Sequence, residues 1–206
     1  MKAIYTLAMA AILLAIVGAA YAAWTETLRI EATVKTGELD VAFDENSLQV
    51  TDTGADPQAD GYDNGEDFDV AQAYLQPLSH DDEGDLVALN FTLNNTYPGY
   101  TACAEFNITN IGSIPARITD INVTVDDTTY TYEDYVNNNE KIELYDGAIV
   151  VKYNMTVGEV LEAKKEKSYK VCVEVTEKAQ ELQEYAFTVI IEFTQWNVVE
   201  NQEETG

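Results

Sequence analysis

The stretch WTETLRIEATVKTGELDVAF, residues 24–43, contains two alternating patterns that are out of phase with each other. In its first half the apolar side chains occupy even positions: Trp24, Leu28, Ile30, Ala32 and Val34. After Gly37 they occupy odd positions: Leu39, Val41 and Phe43. Since successive side chains of a strand point to opposite faces, this change of phase predicts two separate strands. Gly37 is the expected hinge between them, because glycine tolerates the backbone angles of a kink.

The first of these strands, residues 24–35, has an apolar stripe on one face and Thr, Arg, Glu and Lys side chains on the other. One interpretation is an ordinary first strand that a bulge joins to the next. The other is a protruding strand that completes the sheet of a second molecule. The residue pattern leaves both interpretations open. In both, the second strand, 38–43, begins the folded domain.

Alternation with period two continues along the chain, and sustained helical periodicity is nearly absent. The alternating stretches are 87–93, 100–109, 121–125, 169–175 and 185–193. A change of phase at Asp120 predicts a bulge or bend. Pro, Gly, Asn and Asp residues mark the turns between the stretches. Many short strands separated by such turns indicate an all-β fold, an antiparallel β-sandwich or jelly roll.

Residues 1–22 have the features of an export signal. Lys2 gives a positive start, an apolar stretch runs to Val17, and Ala20-Tyr21-Ala22 supplies small residues for a signal peptidase. The alternative is an uncleaved membrane anchor, because residues 3–24 are long enough to cross a bilayer. The predicted organisation is a signal peptide at 1–22, an N-terminal strand at 23–36 and one β-domain at 37–206. In this organisation the protein meets the membrane only during export.

The chain is strongly acidic, with 37 Asp and Glu against 11 Lys and Arg, a net charge of −26. Removing residues 1–22 takes away one lysine and leaves −27, since −26 − 1 = −27. Such a surface repels phosphate groups, which excludes nucleic acid as a partner. Because 46% of the residues are hydrophobic, the chain can still bury a core, unlike a disordered acidic tail.

Cys103 and Cys172 are the only cysteines of the chain. Each lies on the face of its alternating stretch that is opposite to the apolar side chains. Two such cysteines can meet across adjacent strands. An exported protein is in the oxidising environment outside the cell, which favours a disulfide. We therefore expect a Cys103–Cys172 bridge, with two separate free thiols as the alternative.

An acidic loop is predicted at 52–69. Its carboxylates are Asp52, Asp56, Asp60, Asp63, Glu66, Asp67 and Asp69. Hard oxygen ligands on a Gly-containing loop suit Ca²⁺, although the spacing is not that of an EF-hand. The loop is therefore either a calcium site or a solvated acidic surface. A second cluster, residues 81–85, either shares such a site or only adds charge. No other cofactor is expected.

Five N-x-[ST] sequons are candidate glycosylation sites, at Asn90, Asn94, Asn107, Asn122 and Asn154. The alternative is that some of them are unmodified, Thr-rich strand sequence.

The sequence shows few of the residue patterns that are typical of catalytic sites. His80 is the only histidine, which excludes zinc sites that need two or three histidines and blue-copper sites. No G-x-S-x-G context is present for a serine nucleophile. Carboxylates are too abundant for any pair to indicate a glycosidase. We therefore predict that the protein is not an enzyme.

Three stretches resemble the TasA/camelysin family of secreted fibre proteins, and within it the archaeal bundling pilins. They are AAWTETLRIEATVKTGELDVAF (22–43), NNTYPGYTACAEFNITNIGSIPARI (94–118) with its Pro-Gly turn, and FTQWN (193–197). The resemblance implies a jelly-roll sandwich in which the N-terminal donor strand of one subunit, Trp24 to Val34, fills a groove in the next. It does not account for the acidic loop or the cysteine pair.

The function that this likeness implies is that of a structural subunit of an extracellular, cell-surface filament. The subunit would pair head to tail with copies of itself, and neighbouring filaments would associate into bundles that hold cells together in a biofilm. The alternative from the residues alone is a monomeric, calcium-dependent cell-surface binding domain.

Overall fold

In the computed structural model the described residues are 2–22, 29–52 and 71–197. The chain divides into two compact units, residues 1–36 and 37–206. The boundary between the two units falls immediately before Gly37, the predicted hinge.

The first unit contains the helix α1, Lys2–Ala22. The side chains of residues 3–17 are all exposed. Within the described ranges, no helix meets the length and hydrophobicity needed to cross a membrane. Residues 29–36 have no regular secondary structure, so the described part of the predicted N-terminal strand pairs with no strand of its own chain. Trp24 and Leu28 lie outside the described residues.

The described part of the second unit is all-β apart from short helical segments. Its described strands are β1 (Val41–Phe43), β2 (Gln49–Asp52), β3 (Gln72–His80), β4 (Leu86–Asn94), β5 (Thr101–Asn110), β6 (Ala116–Val125), β7 (Thr128–Tyr130), β8 (Ile142–Leu144), β9 (Ile149–Tyr153), β10 (Val160–Leu161), β11 (Glu166–Val175) and β12 (Thr188–Gln195). The helix α2 spans Tyr132–Asn137, and 3-10 turns span Glu45–Ser47 and Tyr145–Gly147.

The described strands form three sheets. A six-stranded sheet has the order β1-β5-β11-β9-β8, with β2 also paired to β5. A four-stranded sheet has the order β10-β6-β12, with β7 also paired to β6, and β3 and β4 form a separate hairpin. All pairs are antiparallel. The prediction of an antiparallel all-β fold is therefore confirmed.

The predicted alternation is clearest in β5, where every even-numbered side chain is buried and every odd-numbered one is half-buried. Strand β12 begins at Thr188, three residues later than the pattern predicted. In β4 the prediction is wrong at one position, because Leu86 is buried whereas Val87 is 44% exposed. Register shifts in the facing part of β3, between Pro77 and His80, change the phase there.

The bulge predicted at Asp120 is confirmed. Glu192 pairs with Asp120 and Phe193 pairs with Ile118, so Thr119 has no counterpart on β12. The extra residue allows Ile118 and Ile121, three positions apart, both to be buried.

One hydrophobic core draws side chains from both larger sheets. The six-stranded sheet contributes Phe106, Val151 and Tyr169, and β6 contributes Ile121 and Val123, which are completely buried. Hydrophobic burial on this scale is the main favourable term in folding.

Asn110 is the only polar side chain among the described residues that is buried completely. Its Nδ2 donates to the carbonyls of Ile114 and Leu161, each at 2.9 Å, and its Oδ1 accepts from the N–H of Gly112 at 3.0 Å. Because its amide is satisfied on both sides, burial costs little, and the β5–β6 turn is fixed to β10.

Candidate functional site

The described part of the N-terminal segment presents apolar side chains to solvent. Ile30 is 92% exposed and Val34 is 86% exposed. On the other stripe of the pattern, Arg29 and Glu31 form an exposed ion pair at 2.8 Å, which contributes little to stability. Two exposed aliphatic side chains on one stripe of an unpaired segment are chemically suited to burial against another surface.

The residues that follow Gly37 are hydrogen-bonded to the β5–β6 turn. The N–H of Glu38 donates to Ser113 Oγ at 2.8 Å, and the N–H of Ser113 donates back to the carbonyl of Glu38 at 2.9 Å. A Cβ added at Gly37 would lie 2.1 Å from Ile114 Cγ2. Any side chain at position 37 would therefore force Ile114 to move, so the close approach to Ile114, rather than a positive φ angle, favours glycine here.

Strand β12 has one unpaired edge among the described residues. It pairs along its whole length with β6, and β7 pairs with the same residues of β6, Val123 and Thr124, from the other side. Strand β7 leads into α2, where the Tyr135 hydroxyl donates to the carbonyl of Tyr153 in β9 at 2.6 Å. This hydrogen bond connects the β7 side of the four-stranded sheet to β9. The unpaired edge of β12 lies on the opposite side of the sheet from β7.

The hairpin β3–β4 packs on the same core, and within the described ranges its strands pair only with each other. Phe91 and Leu93 also pack against the small buried cluster of Ala71, Tyr100 and Ala102, which ties the hairpin to the start of β5. Among the described residues, the outer edge of β12 and both outer edges of the hairpin are therefore unpaired and border the core. Unpaired edges of this kind are templates for an added strand.

Burial of the inward side chains differs between the strands of the four-stranded sheet. Ile121 and Val123 of β6 are fully buried, at 0% exposure. In β12 the corresponding residues Val189, Ile191 and Phe193 contact the core but are only half-buried. The core is thus less well covered at β12 than at β6. We use the name β12 edge for the unpaired backbone side of β12 together with these three half-buried side chains.

A second feature is an acidic cluster beside the start of β1. Carboxylate oxygens of Asp40, Glu83 and Asp85 lie within 4.8 Å of one another. Asp81 shapes the hairpin turn, since its Oδ1 accepts from the N–H groups of Glu83 and Asp85 at 3.0 and 2.9 Å. The chain fold thus brings part of the predicted 81–85 cluster to Asp40, which the sequence pattern did not single out.

The carboxylates of the acidic cluster repel one another, and the pKa values of Asp40 and Glu83 are both raised. Burial, followed by the charges of Asp85 and Glu38, raises the pKa of the Asp40 carboxyl above its ordinary value. The charge of Asp40 is the largest cause that raises the pKa of Glu83. Carboxylates in this arrangement are the oxygen ligands that Ca²⁺ prefers, but acidic groups also cluster on surfaces without an ion.

The acidic loop predicted at 52–69 has one described member. Asp52 ends β2, and its Oδ2 accepts a hydrogen bond from the Tyr100 hydroxyl at 3.1 Å. The remaining predicted ligands lie outside the described residues: Asp56, Asp60, Asp63, Glu66, Asp67 and Asp69.

The predicted disulfide is confirmed. Cys103 and Cys172 face each other on β5 and β11, with their Cα atoms 4.0 Å apart, and their sulfurs are bonded. The bridge lies on the outward face, beside the ion pair of Lys170 and Glu105 at 2.5 Å. The hydrogen bond from Lys170 is the main reason that the pKa of Glu105 is lowered.

The five sequons occupy different environments. Asn90 and Asn94 on β4 and Asn154 after β9 are exposed, whereas Asn107 on β5 and Asn122 on β6 are half-buried. His80 is exposed at the end of β3.

No protein-family model, curated protein or solved structure matches this chain. The likeness to secreted fibre proteins therefore stays a prediction from the sequence.

Proposed function

We propose that the protein is the structural subunit of an extracellular filament and that it polymerises by donor-strand complementation. The N-terminal segment of one copy, Trp24 to Val34, adds to the β12 edge of the next. The observation that carries this proposal is a pair of complementary features in one chain. Within the part of the chain that the structure describes, Ile30 and Val34 are exposed on a segment without a strand partner, and β12 has a free edge over half-buried apolar side chains.

The energetics favour strand addition. An incoming strand gives hydrogen-bond partners to the unpaired backbone groups of β12. Burial of an aliphatic side chain contributes about 1.5–3 kcal/mol, and the donor offers Leu28, Ile30 and Val34 in alternation. At about 3.3 Å per residue, the donor is also long enough to span the eight residues of β12.

The same proposal completes the architecture. The six-stranded sheet is one layer of a jelly-roll sandwich, and the four-stranded sheet and the hairpin belong to the other. The donor strand of a neighbouring copy lies at the open β12 edge and closes that layer. Because donor and acceptor are different surfaces of one molecule, the contact is heterologous and produces an open chain of subunits.

Deletion of residues 24–35 tests the proposal directly. We expect the purified extracellular protein to form filaments in electron micrographs, and the deletion variant to remain monomeric in sedimentation experiments. Ile30→Asp should block assembly in the same way, because it places a charge where the donor is buried. Thr33→Asp is the matched control, since it adds the same charge to the opposite stripe and should allow assembly. Normal filaments from the deletion variant or from Ile30→Asp would refute strand donation.

A synthetic peptide of residues 23–36 allows a second, independent test of strand donation. Added to the deletion variant, it should raise the melting temperature by several degrees, because it supplies the missing strand. The same peptide with Ile30→Asp should have no effect. If the native peptide leaves the melting temperature unchanged, the β12 edge is not an acceptor for this segment.

A further inference from the structure

The outward face of the hairpin β3–β4 carries the asparagines of two sequons near an exposed aromatic ring. In the register of the hairpin, Gln72 faces Asn94, Tyr74 faces Thr92, and Gln76 faces Asn90. Asn90 and Asn94 are exposed, and Tyr74 is 43% exposed. Leu75 and Leu93, on the other face of the hairpin, pack on the core. The six outward residues therefore form a continuous surface, which we call the sequon face.

The Tyr74 hydroxyl is hydrogen-bonded to the cross-strand neighbour of one of the two asparagines. It donates to Oε1 of Gln72, two residues earlier on the same strand. Gln72 is the cross-strand neighbour of Asn94. Diagonal neighbours on one face of a hairpin lie about 7–8 Å apart, which is within reach of a long side chain or an attached group. A sugar on Asn94 would thus begin beside the Tyr74 ring.

The other sequons differ in ways that affect modification. The Nδ2 of Asn122 already donates to Asp120 at 2.9 Å, and its Oδ1 is buried without a hydrogen-bond partner. Asn107 is half-buried on the central strand β5. Asn154 is exposed, but its Oδ1 accepts from the backbone N–H of Lys170 at 2.8 Å. Only the sequon face combines exposed asparagines with an adjacent exposed ring among the sequons that lie in the described strands.

We propose that the sequon face carries N-linked sugars on Asn94 and Asn90, and that Tyr74 is the platform on which the first sugar of Asn94 rests. The sugar donor is a polyisoprenoid-phosphate-linked oligosaccharide. The amide nitrogen of asparagine forms a bond to the anomeric carbon of the sugar and gives up a proton, and the bond between that carbon and the phosphate oxygen breaks. The lipid phosphate leaves with the electron pair. This inference rests on the proposed extracellular location of the protein but not on filament formation.

The arrangement has a physical benefit for the folded domain. Aromatic rings have a large apolar face, and the C–H face of a pyranose ring can cover it. A bulky polar group on this surface also keeps a two-stranded hairpin from pairing with other chains, since exposed strands are aggregation sites.

Glycopeptide mass spectrometry on the protein secreted by its own cells tests the site assignment. We expect Asn94 and Asn90 to carry sugar and Asn122 to be unmodified. The proposal would be overturned if Asn94 and Asn90 were unmodified. It would also be overturned if Asn122 carried sugar as often as they do, because solvent accessibility would then not determine which sequons are modified.

A double-mutant cycle tests the platform. In the glycosylated protein, Tyr74→Ala should lower the melting temperature by about 3 °C. In the Asn94→Gln background the same substitution should have a clearly smaller effect, because no sugar rests on the ring. Asn154→Gln is the matched control and should leave the effect of Tyr74→Ala unchanged. Equal losses in the native and Asn94→Gln backgrounds would show that Tyr74 does not support the sugar.

Discussion

Asp40 lies where the N-terminal segment enters the domain, and its surroundings disfavour its charge. Burial is the largest cause, and the carboxylates of Asp85, Glu38 and Asp81 add to it. The folded-state pKa of Asp40 is therefore higher than its unfolded value. A carboxyl with a raised folded pKa reduces stability at pH values above that pKa, and the reduction disappears as the pH falls below the unfolded value.

Asp40→Asn should therefore stabilise the domain at neutral pH. We expect the melting temperature at pH 7 to rise by about 2 °C, because the substitution removes a repelled charge and keeps the shape of the side chain. The gain should fade as the pH falls toward about 4, because the carboxyl of the folded native protein then becomes protonated and no longer carries the repelled charge. Asp127→Asn, in the exposed β6–β7 turn, is the control. A variant that is less stable than the native protein at pH 7 would contradict this explanation.

Ca²⁺ titration of the same two proteins tests the alternative function. If the cluster binds Ca²⁺, the ion should raise the melting temperature of the native protein and have little effect on Asp40→Asn. Equal responses of both proteins would count against a calcium site at Asp40, Glu83 and Asp85.

At the scale of elements, β5 and β11 are the central pair of the six-stranded sheet, with nine residues of each in register. The Cys103–Cys172 bridge joins these two strands across a sequence separation of 69 residues. Closing a loop of that length removes entropy from the unfolded chain equivalent to about 4 kcal/mol in the loop-closure model. The bridge lies on the outward face, so its loss does not open a cavity in the main core.

We expect the double variant Cys103→Ser, Cys172→Ser to fold with the same sheet but to lose about 3 kcal/mol of unfolding free energy. Urea denaturation of the oxidised native protein and the variant measures the difference. The native protein under reducing conditions is the control and should match the variant. Equal midpoints for oxidised and reduced native protein would show that the bridge contributes nothing to stability.

At the scale of the whole molecule, the charge of −26 opposes association of copies. Added salt screens this repulsion, since the Debye length falls from about 30 Å at 0.01 M to about 3 Å at 1 M. The proposed strand contact is mainly apolar and backbone-mediated, and salt weakens neither contribution.

Filament assembly should therefore accelerate as the NaCl concentration rises from about 0.02 M to 0.5 M. Light scattering of the purified protein, checked by electron microscopy, measures the rate. The variant that lacks residues 24–35 should show no salt-dependent scattering, which separates assembly from precipitation. Assembly that slows with salt would indicate that ion pairs, rather than strand addition, hold the subunits together.

The sequence by itself determined the features that depend on neighbours along the chain. Alternation in residues 100–109 and 169–175 predicted β5 and β11 with the correct buried faces, and the phase change at Asp120 predicted the bulge of β6. The outward positions of the two cysteines followed from the same alternation. These predictions succeed because the side-chain period of a strand and the position of its turns are local properties.

Only the tertiary structure decided which distant segments meet. The approach of Asp40 to Glu83 and Asp85, and that of Gly37 to Ile114, depend on packing between separate elements. The placement of Tyr74 diagonally across from Asn94 depends on the register of the hairpin. The open edge of β12 likewise depends on the order of strands in the sheet. Alternation fixes which face of a strand is apolar but not which strand lies beside it, because pairing is decided by the packing of the whole core.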